Sequence, residues 1–193
     1  MAPGPRASIL AGRRSARSMI NSGGRARRAP YSMKKTADIC DANEGVEACV
    51  TPMRSWGRRR EFFGLIRTVR VHRDYGLVRD TLSKDGEGCV LVVDGGGLLD
   101  RAIFGDVMAG RAVKNGWSGV ILHGAIRDSG EIDLMDIGIR APGTMPLRGT
   151  ALGTGEVDIP VTFGNATFTP GRLLVADEDG IIVCPGGDLS LLN

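Results

Sequence analysis

Two short runs of apolar residues, at 89–93 and 119–122, lie on either side of a segment with helical spacing. A run of this length that is closed by aspartate and glycines is typical of a strand buried on both faces of a sheet. Between the runs, apolar residues recur at near-helical intervals and predict a helix over residues 102–114, which Asn115-Gly116 would end. The order strand, helix, strand predicts a β-α-β unit with parallel strands and a right-handed crossover.

Residues before this unit predict one long strand and short helices. The segment 62–71 alternates in polarity and is rich in β-branched side chains, which favours a strand. Thr36 or Asp38 is a suitable cap for the first of the helices. Short helices are expected at residues 36–41 and 78–82, before the β-α-β unit, and at residues 131–138, after it.

The end of the chain is mainly β in character. Turn sequences Pro170-Gly171 and Asp179-Gly180 separate short apolar segments, as hairpins require. The strands are expected at residues 161–169, 173–176 and 181–184. Combined with the β-α-β unit, they predict an α/β domain whose sheet carries both parallel and antiparallel strands.

Charge is distributed unevenly along the 193 residues. Residues 1–37 hold nine Arg or Lys and no acid, whereas the remainder has 16 basic and 22 acidic residues. We expect a basic arm at residues 1–33, either disordered or targeting, and a single folded domain at 34–193. An Arg-rich, acid-free start is typical of a mitochondrial or similar transit peptide, and a basic tail on a cytoplasmic protein is the alternative.

Several kinds of site are disfavoured. No apolar run approaches the length of a membrane span, and the four cysteines show no C-x-x-C spacing. The triple glycine at 95–97 fits neither a P-loop nor a dinucleotide fingerprint, and a sharp reversal of the backbone is its expected role. His123 lies near the β-α-β unit as a possible base or as a core histidine satisfied by the backbone, and His72 is also expected in a strand.

Charged residues cluster at the two ends of the β-α-β connection. Asp106 lies near the start of the predicted helix, where free backbone amides can hold a small carboxylate. Arg127 and Asp128 follow the second strand, where α/β folds place ligands. Arginine suits a carboxylate or enolate oxygen, and a single aspartate with waters can hold Mg²⁺. Taken alone, the adjacent pair is better explained as an ion pair that stabilises a turn.

The spacing Asp106-x20-Arg127-Asp128, with Gly105-Asp106-Val107-Met108 and the glycine-rich text around it, resembles the family of RraA-type regulators of ribonuclease E activity and 4-hydroxy-4-methyl-2-oxoglutarate aldolases. The resemblance runs from about residue 36 to 183. It implies an α/β/α sandwich of the phosphohistidine-like swivelling-domain type, assembled as homotrimers or hexamers.

The resemblance also implies residue roles. Arg127 would bind a small 2-oxo acid and stabilise its enolate, and Asp128 would hold a divalent metal cation, Mg²⁺ or Mn²⁺. Asp106 would orient a water for proton transfer. Substrate contacts are implied for Gly105, Asp106, Val107, Met108 and Arg127.

Two functions follow from the resemblance. The first is a lyase that cleaves a small 2-oxo dicarboxylate to pyruvate, as 4-hydroxy-4-methyl-2-oxoglutarate aldolase or oxaloacetate decarboxylase. The alternative is a non-catalytic regulator that binds a ribonuclease or RNA helicase. The chain stops at Asn193, without the C-terminal helix of the longer aldolases, so its length resembles the regulator branch. The basic cluster 58–60 lacks interleaved aromatics and gives no direct nucleic-acid signature.

Overall fold

The computed structural model describes residues 33–192, which belong to one compact unit. The arm expected at residues 1–33 lies outside the described residues apart from Met33. Helices in the described part are α1 (Thr36–Ala42), α2 (Gly76–Leu82), α3 (Asp106–Lys114) and α4 (Ser129–Ile132), with a 3₁₀ turn at Leu189–Leu192. No helix among these residues has the length and apolar character needed to cross a membrane.

The main sheet mixes parallel and antiparallel strands, as predicted. Its strands are β1 (Glu47–Ala48), β2 (Arg54–Trp56), β3 (Phe62–Arg70), β4 (Val90–Asp94), β6 (Gly119–His123), β8 (Gly138–Ala141), β10 (Glu156–Val157), β13 (Leu173–Ala176) and β14 (Ile181–Val183). They lie in the order β1-β14-β13-β3-β4-β6-β8-β2, with β10 also paired to β3. Strands β3, β4, β6 and β8 are mutually parallel, and the other pairings are antiparallel.

Both faces of the central strand β4 are covered. Leu91 and Val93 contact one apolar cluster, which includes residues of α2 and α3. Val90 and Val92 contact a second cluster, which includes the aromatic rings of a hairpin formed by β11 (Val161–Phe163) and β12 (Ala166–Phe168). These four apolar side chains of β4 are fully buried. This confirms the predicted central strand, while the swivelling-domain arrangement stays a prediction.

The segment 102–114 differs from its prediction. Ala102–Phe104 forms strand β5, and the helix begins only at Asp106. β5 pairs in parallel with β7 (Ala125–Ile126), which pairs with β9 (Gly143–Thr144) in a separate three-stranded sheet. All three β5 side chains are buried, so the first part of the segment that fitted a helical period, residues 102–104, belongs instead to a short core strand.

Other expected boundaries also move. Helix α4 ends at Ile132 rather than at 138, where β8 begins. Segment 161–169 is two strands, because Gly164 and Asn165 adopt positive φ angles and form the hairpin turn. The predicted cap of α1 is wrong: the helix has no local side-chain cap, and Asp177 accepts hydrogen bonds from the amide and hydroxyl of Thr36.

Candidate functional site

A cavity of about 240 Å³ opens at the start of α3. The residues that line it include all six candidate site residues: Gly105, Asp106, Val107, Met108, Arg127 and Asp128. Sequence reasoning missed the rest of the lining, which is Tyr75, Arg79, Ala102, Phe104 and Arg148. The candidate residues therefore meet in one place, and they meet together with two further guanidinium groups.

The three-stranded sheet explains why the candidate residues meet. β5 and β7 are parallel neighbours, so their carboxyl ends lie at the same edge. Gly105 leaves β5 and leads into α3, whereas Arg127 leaves β7, and its amide donates to the carbonyl of Phe104 (3.0 Å). Arg127 thus follows β7 and not, as expected, the second strand of the β-α-β unit.

The start of α3 presents main-chain donors to the cavity. Gly105 is the N-cap in an extended conformation and supplies no capping side chain. Its carbonyl accepts from the amides of Met108 and Ala109 (3.0 Å each). The first amides of a helix have no acceptor within it, so those of Asp106 and Val107 suit an anionic ligand.

Arg127 and Asp128 form an ion pair at the cavity wall. Arg127 Nε donates to Asp128 Oδ2 at 3.0 Å, and each side chain is about one-third exposed, at 36% and 33%. Asp128 adopts a left-handed backbone conformation (φ 53°, ψ 36°) as α4 begins. Among the described residues, the terminal nitrogens of Arg127 and the Oδ1 atom of Asp128 have no other partner. Both groups thus keep hydrogen-bonding capacity for a ligand.

The donor set limits which cation the cavity can hold. No cluster of three or more His, Cys, Asp or Glu side chains suitable for a metal occurs in residues 33–192. Mg²⁺ and related hard ions use one or two carboxylates and keep several waters, so they do not need such a cluster. The free oxygen of Asp128 beside a small cavity fits this mode of binding.

His123 lies outside the cavity and is held in place by side chains. Its Nδ1 atom lies 3.3 Å from Asp94 Oδ1, and its ring stacks on Phe163 at 4.4 Å between centroids. The hydrogen bond with His123 and the amide of Gly96 outweigh burial and lower the pKa of the Asp94 carboxyl. Gly97 lies against the Nε2 side of the ring. His123 therefore contacts the hairpin by ring stacking, and its polar partner is a carboxylate of β4 and not the backbone as expected.

Other charged and polar residues of interest also lie away from the cavity. Glu131 is exposed in the first turn of α4 and does not line it. His72 is exposed after β3. In the basic cluster, Arg59 pairs with Asp136 (2.9 Å) and Arg60 lies 3.9 Å from Asp133, so much of its charge is neutralised locally.

Fold and cavity together define a mixed α/β protein with a small cavity lined by arginine and aspartate side chains at the start of a helix. The chain belongs to the RraA-like family, described as Aldolase/RraA, whose model matches residues 36–183. It is 52% identical over 150 residues to a protein of Aromatoleum aromaticum named "Putative 4-hydroxy-4-methyl-2-oxoglutarate aldolase", covering 77% of this chain and 94% of that protein. A protein of the same name from Ectopseudomonas mendocina is 45% identical over 151 residues, covering 78% and 93%.

Solved structures of similar proteins have the same fold as this chain. The structure of the RNA-processing inhibitor RraA from Thermus thermophilis matches with a TM-score of 0.77 and 41% identity, over 79% of this chain and 93% of that one. A Geobacillus kaustophilus structure, titled as an S-adenosylmethionine:2-dimethylmenaquinone methyltransferase, matches with a TM-score of 0.79 and 43% identity, over 83% and 99%. The aldolase-named relatives are matched almost end to end, so length does not favour the regulator branch.

Proposed function

We propose that this protein is a divalent-metal-dependent lyase that cleaves a small 2-oxo dicarboxylate to give pyruvate. The observation that carries the proposal is the meeting of Arg127, Asp128 and the start of α3 in one cavity. Relatives whose sequences are 52% and 45% identical to this chain carry aldolase names, which supports the same reaction class. The substrates we propose are 4-hydroxy-4-methyl-2-oxoglutarate and oxaloacetate.

Binding of the substrate would use the two walls of the cavity. The carboxylate beside the 2-oxo group is a suitable ligand for the free amides at the start of α3. The terminal nitrogens of Arg127 would donate to the 2-oxo oxygen in a charge-assisted contact. A divalent cation, when bound, would be held by Asp128 and would polarise the 2-oxo group.

In the aldol cleavage, the C3–C4 bond of the substrate breaks and its electron pair moves toward the 2-oxo oxygen. Arg127 would stabilise the negative charge that develops there, which is the usual role of such donors. Asp106 would orient a water that takes the proton of the 4-hydroxyl and returns one to C3. The products are two molecules of pyruvate. In oxaloacetate the bond to the C4 carboxylate breaks instead, CO₂ leaves, and the same enolate forms.

The decisive experiment is a pyruvate-release assay on both substrates, with and without added Mg²⁺ or Mn²⁺. We expect release from both, and only with the cation. If neither substrate releases pyruvate in the presence of the cation, the proposal is contradicted.

A regulator that binds a ribonuclease or RNA helicase is the alternative function. It is favoured by the likeness to the RNA-processing inhibitor RraA of Thermus. Purified protein that inhibits ribonuclease E yet releases no pyruvate would establish this alternative. For either function we propose a homotrimer or a dimer of trimers, and a monomer by light scattering at micromolar concentration would contradict that assembly.

A further inference from the structure

Arg148 lines the cavity from a loop whose backbone is fixed on both sides. The amide of Ala102 donates to the carbonyl of Leu147 (2.7 Å), and the amide of Gly149 donates to the carbonyl of Ala102 (2.9 Å). Arg148 therefore lies beside β5, the strand that leads into Gly105. Its guanidinium forms no hydrogen bond or ion pair with any described residue. An arginine with an anchored backbone and an unpartnered charge is prepared for an anion.

A buried carboxylate joins this loop to helix α2. Asp74, only 1% exposed, accepts hydrogen bonds from the hydroxyl of Thr150 (2.9 Å) and the amide of Leu152 (2.7 Å) on the loop. It also accepts from the amide of Gly76 at the start of α2 (2.7 Å). Loop and helix are thereby held as one unit. Both Arg148 and a second arginine, Arg79 of α2, face the cavity from this unit.

The cavity is lined by more cationic than anionic side chains, with Arg79, Arg127 and Arg148 against Asp106 and Asp128. Arg79 Nε pairs with Asp80 at 2.9 Å, and no other hydrogen bond of its guanidinium is formed with described residues. Exposed arginines elsewhere, such as Arg67, bind an aspartate through two nitrogens (2.6 Å each). Arg127 is paired with Asp128, and Asp106 also lines the cavity, so the lining has an excess of one positive charge. Arg148, whose guanidinium has no described partner, is the residue that remains for a second anionic group.

We propose that Arg148, assisted by Arg79, binds the distal carboxylate of the substrate and so selects dicarboxylates. The inference rests on the proposed lyase function. Arg127 and the start of α3 would hold the 2-oxo acid end, and the unit organised by Asp74 would hold the other end. The second carboxylate group of 4-hydroxy-4-methyl-2-oxoglutarate is the ligand that this arrangement predicts.

The two reactions use that carboxylate differently. In aldol cleavage the distal carboxylate keeps its charge and stays on the departing 2-oxo acid, so arginine contacts persist through the transition state. In oxaloacetate decarboxylation the second carboxylate itself becomes CO₂ and loses its charge. An arginine bound to that carboxylate therefore stabilises the ground state more than the transition state. Arg148 therefore favours aldol cleavage over decarboxylation.

The test compares two aldols that differ in the distal carboxylate. Arg148→Met and Arg79→Met are assayed with 4-hydroxy-4-methyl-2-oxoglutarate and with 4-hydroxy-2-oxopentanoate, which lacks that group. Loss of a charge-assisted contact should lower kcat/KM for the dicarboxylate by about 10- to 100-fold in Arg148→Met, and less in Arg79→Met. The kcat/KM for the monocarboxylate and the kcat of oxaloacetate decarboxylation should keep their wild-type values or rise. Arg111→Met, on α3 outside the cavity, is the matched control.

Equal losses on both aldols, or no loss on either, would overturn the subsite. Binding of 2-oxoglutarate, which has both carboxylates but no 4-hydroxyl, separates the two proposals. If its calorimetric Kd rises in Arg148→Met while the wild type releases no pyruvate from any substrate, the lyase function fails and the subsite stands. If pyruvate is released but the Kd does not depend on Arg148, the subsite fails and the lyase function stands.

Discussion

Gly105 lies directly against the side chain of Asp128. A Cβ atom on Gly105 would lie 2.9 Å from Asp128 Oδ2 and 3.2 Å from Arg127 Cγ. The backbone of Gly105 is extended (φ −155°, ψ −173°), a conformation open to any residue. A side chain at position 105 would therefore be limited by space and not by backbone conformation, because the ion pair of Arg127 and Asp128 occupies that space.

Gly105→Ala should displace this ion pair while the fold persists. A shift of about 1 Å in a positioned group can cost on the order of a hundredfold in rate, so we expect a loss of that size in pyruvate release. Gly110→Ala on the same helix is the control, because a Cβ there meets no atom within 4 Å. The control should keep wild-type activity and gain roughly 0.5–1 kcal/mol of stability. Full activity in Gly105→Ala would show that the position of the pair is unimportant.

Arg127→Lys tests the planar fork of the guanidinium. Lysine keeps the charge but cannot donate from two fixed nitrogens, so transition-state stabilisation should fall by about 2–4 kcal/mol. The measurement is kcat/KM for pyruvate release, with Arg111→Lys as a control outside the cavity. Wild-type turnover in Arg127→Lys would mean that this arginine has only a structural role.

Asp128 is the proposed cation ligand. Two substitutions distinguish the effect of losing its charge from the effect of changing its backbone conformation. Asp128→Ala and Asp128→Asn should both abolish pyruvate release, although asparagine tolerates the left-handed conformation well. Wild-type protein treated with a chelator should behave like the variants and recover with Mg²⁺ or Mn²⁺. Glu131→Gln, an exposed carboxylate on α4, should keep activity. Turnover that survives both Asp128→Ala and the chelator contradicts the metal assignment.

The sequence predicted those elements of the fold whose patterns are local. The apolar run that became β4 and the glycines that close it needed no tertiary information. Segment 102–104 was misassigned because three apolar residues fit a helix and a buried strand equally well. Only the pairing of β5 with β7 decides between them, and that contact joins residues more than twenty positions apart.

The residues of the candidate site also fall into those that the sequence predicted and those that only the tertiary structure identified. Arg127 and Asp128 were predicted from the resemblance to the RraA-type family, since the adjacent pair alone also fitted an ion pair that stabilises a turn. Arg79 and Arg148 were not found, since α2 and the loop after β9 are brought to the cavity by tertiary contacts, among them those of Asp74 and the backbone of Ala102. Neither arginine lies in a motif, so no local signal could have identified it.

Asp74→Asn should destabilise the protein in a pH-dependent manner. Burial raises the pKa of this carboxyl, but hydrogen bonds from Gly76, Thr150, Leu152 and Gly153 outweigh it, and the net pKa is lowered. Asparagine would place an NH₂ group against these donors, so the variant should lose about 2–3 kcal/mol of stability at pH 7, as expected for charge-assisted hydrogen bonds.

The direction of the pH effect follows from the lowered pKa. The charged carboxylate stabilises the native state fully above the ordinary value of 3.8, and this contribution is lost as the pH falls through the lower folded value. Urea denaturation at pH 7 and at successively lower pH should therefore show the gap between wild type and Asp74→Asn closing below pH 3.8. Asp100→Asn, at an exposed ion pair with Arg73, should stay near wild type throughout. A gap that keeps its size in acid would mean that asparagine acts through altered packing, and not through the charge that holds the loop of Arg148 to α2.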